Sequence, residues 1–143
     1  MVENKMGFEL IPTGTEKVLV VDDEERSMSI MKVVLERLGY NVTAMTSSLK
    51  AMELFKEDPY RHDLLLTDLI MPQLTGDKLV LEIIKIRPDM PVIITSGFTD
   101  TIVNDSFKQV SNKAFIAKPF QPQELAKMVR QVLDRNVSSR PDL

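Results

Sequence analysis

Four short runs constrain this chain most, because they are apolar at successive positions rather than at every second one. They are Lys17–Val21 (KVLVV), Asp63–Thr67 (DLLLT), Pro91–Thr95 (PVIIT) and Lys113–Ala117 (KAFIA); Asn41–Met45 is a weaker, fifth strand. A strand with one face in water reads polar at alternate positions, so strands without that alternation are covered on both faces. The segments between them have helical spacing. Glu25–Leu38 places Met31, Val34, Leu35 and Leu38 on one face and ends at Gly39, suited to a helix C-terminus. Ser47–Lys56 is a second helix, with Ser47 or Ser48 as its N-cap. Asp77–Ile86 turns Leu79, Val80, Ile83 and Ile84 inward and stops at Pro88; Thr101–Val110 is a fourth helix. Gln121–Arg135 is the fifth, with Leu125, Met128, Val129, Val132 and Leu133 on one stripe. Five strands alternating with five helices imply an α/β, doubly wound parallel sheet with right-handed crossovers.

A chain of 143 residues fits a single domain with a real core. The pattern places that domain over residues 17–135, between an N-terminal tail or linker (1–16) and a C-terminal tail (136–143). The net charge of −3 gives no basic excess for nucleic acid. The absence of cysteine excludes disulfides, thiol nucleophiles and Cys-based metal sites, and His62 is the single histidine. No apolar run approaches a membrane span, and the first residues, with Glu3, Lys5 and Glu9, lack a signal-peptide core. A cytoplasmic protein is expected.

Ligand sites of doubly wound sheets lie beyond the carboxyl ends of the strands. The first strand ends in Asp22-Asp23-Glu24-Glu25, the third in Asp68, the fourth in Thr95-Ser96-Gly97 and the fifth in Lys118-Pro119. Each has an ordinary explanation taken alone: acids cap helices, a lone Asp sits in a turn, a loop lysine is solvated. Their coincidence at one sheet edge is what demands chemistry. Clustered carboxylates need a cation, and an all-oxygen ligand set without His or Cys favours a hard ion, Mg²⁺ above all where phosphate also binds. A carboxylate can accept a phosphoryl group as an acyl phosphate, and phosphoryl transfer asks mainly for positioning and charge stabilisation.

Residues 17–134 resemble the receiver domain of bacterial response regulators, including the receivers of hybrid histidine kinases. The resemblance rests on VLVVDDE (18–24), LLLTDLIMPQLTG (64–76), PVIITSG (91–97) and FIAKPF (115–120). It implies a CheY-like, flavodoxin-like (βα)5 fold with strand order 2-1-3-4-5. It implies Asp68 as the phosphoacceptor, Asp23 as a direct Mg²⁺ ligand, Asp22 as the holder of a metal-bound water, and the Ile70 main-chain carbonyl as a further ligand. Lys118 corresponds to the lysine that pairs with the phosphoryl group, Gly97 to a phosphoryl-binding position, and Pro119 to a proline after a cis peptide bond, a geometry tolerated only at X–Pro. Gly97 selects Ser96 over Thr95 as the switch hydroxyl, and Phe115 corresponds to the switch aromatic.

The implied partners are a histidine kinase or histidine phosphotransfer protein as donor, since no donor histidine is present, and a downstream protein effector. The implied event is a population shift: charge added at Asp68 draws Ser96, and Phe115 turns inward. No enzymatic activity is expected beyond the domain's own phosphorylation and dephosphorylation. Two departures stand out. Ile70 and Phe98 occupy positions where fast self-dephosphorylating relatives carry polar, water-orienting residues, so a long-lived acyl phosphate is expected. Lys113 and Ala114 lack the acidic residues of the dimer formed through the fourth and fifth helices, leaving a monomer or another phosphorylation-dependent dimer.

Three rivals are weaker. An aspartyl-phosphate phosphohydrolase of the haloacid dehalogenase kind needs Asp-x-Asp, where this chain has adjacent aspartates. A nucleotide or flavin site needs a glycine-rich first turn, and residues 22–27 contain no glycine. A receiver-like interaction module that is never phosphorylated would not need the full residue set. The pattern offers no effector domain after Arg135, and Pro12-Thr13-Gly14-Thr15-Glu16 resembles linkers before C-terminal receivers of hybrid kinases.

Overall fold

Apolar side chains at successive strand positions require cover on both faces, and the structure supplies it for the three central strands. The structure, a computed structural model, describes residues 11–97 and 113–139. Five parallel strands form one sheet in the order β2-β1-β3-β4-β5. They are β1 (Lys17–Val21), β2 (Asn41–Met45), β3 (Leu64–Asp68), β4 (Val92–Ser96) and β5 (Lys113–Ala117). The described helices are α1 (Glu25–Arg37), α2 (Ser48–Glu57), α3 (Gly76–Ile86) and α4 (Pro122–Ser139). The helix predicted over Thr101–Val110 lies outside the described residues.

Strand alternation divides the core in two. Leu19, Val21, Leu65, Val92 and Ile94 pack with α2 and α3 on one face. Val18, Val20, Leu64, Leu66, Ile93 and Ile116 pack with α1 and α4 on the other. The central strands β1, β3 and β4 are almost wholly buried, whereas the edges β2 and β5 are not. Each buried aliphatic side chain contributes about 1.5–3 kcal/mol, so this two-sided core dominates stability.

The helix ends follow from local chemistry. Ser47 caps α2 by accepting a hydrogen bond from the Lys50 N–H at 3.1 Å. Gly39 takes φ = 103°, a region that favours glycine, while the Tyr40 N–H returns to the Leu35 carbonyl. β3 and β4 each begin and end one residue later than their apolar runs suggest. Asp63 uses its carboxylate to accept from the Lys17 N–H, Pro91 has no N–H for the ladder, and Asp68 pairs in register with Thr95.

Both ends of the described domain carry defined structure. α4 continues past Arg135 to Ser139; Asn136, Val137, Ser138 and Ser139 carry no breaker, and polarity alone does not end a helix. At the other end, Thr13–Glu16 are tied to the domain. The Gly14 N–H donates to the Leu38 carbonyl, and Arg130 of α4 donates to the Thr13 carbonyl at 3.1 Å. The same guanidinium pairs with Glu16 at 2.6 Å. Gly14 is required here, since a Cβ would lie 2.4 Å from the Tyr40 ring.

Candidate functional site

The chain leaves β1, crosses to β2 on one side, then returns to β3 on the other. The strand ends diverge at such a reversal and leave a crevice. Asp22 follows β1, Asp68 ends β3 and Lys118 follows β5, each in step with the strand residues that face α1 and α4. Strand period and topology thus bring together residues up to 96 positions apart.

Asp22 is fully buried. One carboxylate oxygen accepts from the Glu24 N–H at 2.9 Å and the other from Lys118 Nζ at 2.9 Å. Lys118 Nζ also lies 3.5 Å from Asp68 Oδ1, which accepts from the Leu69 N–H at 3.0 Å. Asp23 is exposed at the mouth. Carboxylate oxygens of Asp22, Asp23 and Asp68 all lie within 4.8 Å of one another.

Burial pushes the Asp68 carboxyl above the ordinary carboxylate range; Lys118 opposes the shift and the Asp22 charge adds to it. Burial works against the charge on Lys118, but its bond to Asp22 and the charges of Asp22 and Asp68 outweigh burial and hold it above an ordinary lysine. Among the described residues, three carboxylates of the pocket face one ammonium, Lys118. The donor set is therefore oxygen-rich, negative and open on the Asp23 side, which fits a hard divalent cation.

Ser96 ends β4 half-buried, and its carbonyl accepts from the Lys118 N–H at 2.8 Å. Thr95 is fully buried, with no hydrogen-bond partner for its hydroxyl among the described residues. Among the described residues, none lies within 4 Å of a Cβ built on Gly97. The Lys118–Pro119 bond is cis. Phe115 is 39% exposed, with Lys113 Nζ 5.9 Å from its ring centre, so it stands outside the core. Ile70 projects outward beside Asp68, 45% exposed; Phe98 lies outside the described residues. His62 is buried before β3, bonded to Thr43 Oγ1 at 3.0 Å.

Two residues at the site went unassigned in the sequence. Gly76 opens α3, its N–H donates to the Leu69 carbonyl at 2.8 Å, and a Cβ there would lie 2.1 Å from the Asp68 carbonyl oxygen. Only glycine lets the loop after β3 fold back against Asp68; the signal was the glycine ending LLLTDLIMPQLTG. Ser27 Oγ sits 3.5 Å from Lys118 Nζ, and nothing in its helical context marks it.

The sequence profile of the response regulator receiver domain matches residues 18–130. A two-component response regulator of Arabidopsis thaliana is 32% identical over 143 residues, covering 96% of this chain and 23% of that protein. The response regulator receiver protein CpdR of Brucella abortus is 27% identical over 118 residues, covering 82% of this chain and 97% of its own length. The crystal structure of a response regulator receiver domain protein from Clostridium thermocellum superposes with a TM-score of 0.78 at 31% identity, covering 87% of this chain and 99% of that one. The chain thus spans under a quarter of the plant protein and nearly all of CpdR. No described helix is long and apolar enough to cross a membrane.

Proposed function

The chain belongs to the response regulator receiver domain family, and on that premise we propose that Asp68 is the residue through which it takes up a phosphoryl group. It is a receiver domain of two-component signalling. The observation that carries the assignment is the single crevice holding Asp22, Asp23, Asp68 and Lys118, with Asp68 at its centre.

The donor is a phosphohistidine on a histidine kinase or phosphotransfer protein. An Asp68 oxygen forms the new bond to phosphorus, the donor P–N bond breaks, and the imidazole leaves with the electron pair. Burial raises the basicity of Asp68, and Leu69 N–H holds one of its oxygens, which orients the other. Asp23, Asp68 and the Ile70 carbonyl would hold Mg²⁺, with Asp22 acting through a bound water; when bound, the ion offsets the negative charge of the carboxylates and phosphoryl oxygens. Lys118 is already charged and aimed between Asp22 and Asp68, so it meets the phosphoryl group with little rearrangement.

Ser96 and Gly97, at the end of β4, supply the hydroxyl and the backbone position that receive a phosphoryl oxygen. Ser96 suits this role better than Thr95, whose side chain is sealed in the core. Phe115, outward in this state, is the aromatic that turns inward and alters the surface read by a downstream protein. Incubation with acetyl phosphate and Mg²⁺ tests the assignment. One phosphoryl group should appear on the wild type and none on Asp68→Asn; modification of both proteins alike would remove Asp68 from the role.

A further inference from the structure

Lys118 carries three N–H donors on a long flexible stem, and such a cation keeps one position only where oxygens meet it. Three oxygens do. Asp22 Oδ2 lies 2.9 Å from Nζ, Asp68 Oδ1 lies 3.5 Å away and Ser27 Oγ also 3.5 Å. They come from the residue after β1, the end of β3 and the first turn of α1. The first two are carboxylates with other duties. Asp22 gives its second oxygen to the Glu24 N–H, and Asp22 and Asp68 both belong to the cluster whose oxygens fit a divalent cation. Ser27 is neutral and outside that cluster, so it is the acceptor that Lys118 keeps while the charge around the other two changes.

A cavity supplies the second observation. Lys118 lines a space of about 340 Å³ whose further walls are Ser27, Ile30, Met31, Pro119 and Phe120. Neither Asp22 nor Asp68 borders it. Ile30, Met31, Pro119 and Phe120 offer an ammonium no strong side-chain acceptor, yet the space gives the lysine stem room to swing. Among the described residues, the Ser27 hydroxyl is the one polar side-chain group on that wall besides the ammonium itself. The helix has no evident need of it. Glu24 is the N-cap of α1, and the Ser27 hydroxyl meets Lys118 and no first-turn N–H among the described residues. Alanine would suit a helix better.

We propose that Ser27 is a positioning residue for phosphoryl acceptance: its hydroxyl accepts from Lys118 Nζ and holds the ammonium at the Asp68 pocket, where otherwise it could swing along the cavity. Ser27 acts through Lys118 alone and takes no part in holding the phosphoryl group or the metal ion. This role rests on the proposed function of Asp68.

The test compares the wild type, Ser27→Ala and Ser27→Thr as full chains, phosphorylated by acetyl phosphate over a series of Mg²⁺ concentrations and followed by intact mass. Alanine favours the helix, so the first variant stays folded, and the cavity has room for the extra methyl of the second. Ser27→Ala should lose about threefold to tenfold in rate, the worth of one long hydrogen bond, with the half-saturating Mg²⁺ concentration unchanged. Ser27→Thr keeps the hydroxyl and should restore the rate. A Ser27→Ala rate equal to the wild type overturns the role. So does an equal fall in both variants, which assigns the position to packing. A half-saturating Mg²⁺ concentration that rises as the rate falls also overturns it, by placing the effect at the metal ligands. In each of these results the wild type is still modified, so the function of Asp68 stands; a wild type that takes up no more phosphoryl group than Asp68→Asn overturns both.

Discussion

Replacing Gly76 with alanine adds a single methyl group at the tightest point beside Asp68. The new Cβ would sit 2.1 Å from the Asp68 carbonyl oxygen and 2.9 Å from both the Asp68 carbonyl carbon and the Leu69 Cα. All three atoms are backbone, so no side-chain rotation relieves the contact. Overpacking of this kind costs about 1–3 kcal/mol. Moving α3 away would also strain the bond from the Gly76 N–H to the Leu69 carbonyl, worth about 1 kcal/mol. Against these stands the better helix propensity of alanine, at most about 1 kcal/mol. The balance is a loss of about 1–3 kcal/mol, or a fall in Tm of about 3–9 °C for a domain of this size. The displaced loop carries Asp68 and Ile70 with it, so acyl phosphate formation from acetyl phosphate should slow as well. Urea denaturation and a phosphorylation time course on the same preparations check both effects. A Gly76→Ala protein matching the wild type in stability and rate would refute the close packing of this loop on Asp68.

The other expectations concern charge and water. Because burial raises the Asp68 pKa, its folded form holds the proton more tightly than the unfolded chain. The associated stability is fully present below the unfolded value and is lost as pH rises through the higher folded value. Asp68→Asn should therefore be more stable than wild type at pH 7 without divalent ions, with the gap closing near pH 3, and Mg²⁺ should stabilise the wild type more; thermal melts showing no gap at pH 7 would contradict this. Arg130→Ala removes the bonds to Glu16, Thr13 and Asp134, which should cost about 1–2 kcal/mol in urea denaturation after allowance for partial exposure. The Glu16 carboxyl is lowered chiefly by its bond to Arg130, so this contribution is present above the unfolded value of about 4.5 and disappears as pH falls through the lower folded one. The acyl phosphate should outlast minutes with Mg²⁺ present, and Ile70→Asn should shorten its life several-fold by admitting a water-orienting amide; decay of the wild type within seconds contradicts the shielding role of Ile70.

The fold was legible because the signal was redundant. KVLVV, DLLLT and PVIIT each declare a strand covered on two faces, and the stripes of α1, α3 and α4 supply the covers. The ends of β3 and β4 were misjudged by one residue, since polarity suggested that Asp68 and Ser96 lay beyond the strands while the ladder includes both. Asp22, Asp68 and Lys118 were legible because strand ends and topology converge on one edge. Gly76 was not, because its need arises from an approach of two backbone segments, and the glycine closing LLLTDLIMPQLTG was its one trace in the sequence. Nor was the anchoring of Thr13–Glu16, since its partner Arg130 lies 114 residues from Glu16 and reads as one more charge on an exposed helix face. Phe115, matched to the switch aromatic by the motif FIAKPF, stands 39% exposed on the edge strand β5.

The account stands most directly on the mass of peptides from protein treated with acetyl phosphate and Mg²⁺. One added phosphoryl group should appear on the peptide containing Asp68, be lost on hydroxylamine treatment as an acyl phosphate is, and be absent from Asp68→Asn and from samples stripped of divalent ions. A wild-type protein that stays unmodified under these conditions, or that carries the group on another residue, would contradict the assignment of this crevice as a phosphoryl-accepting site.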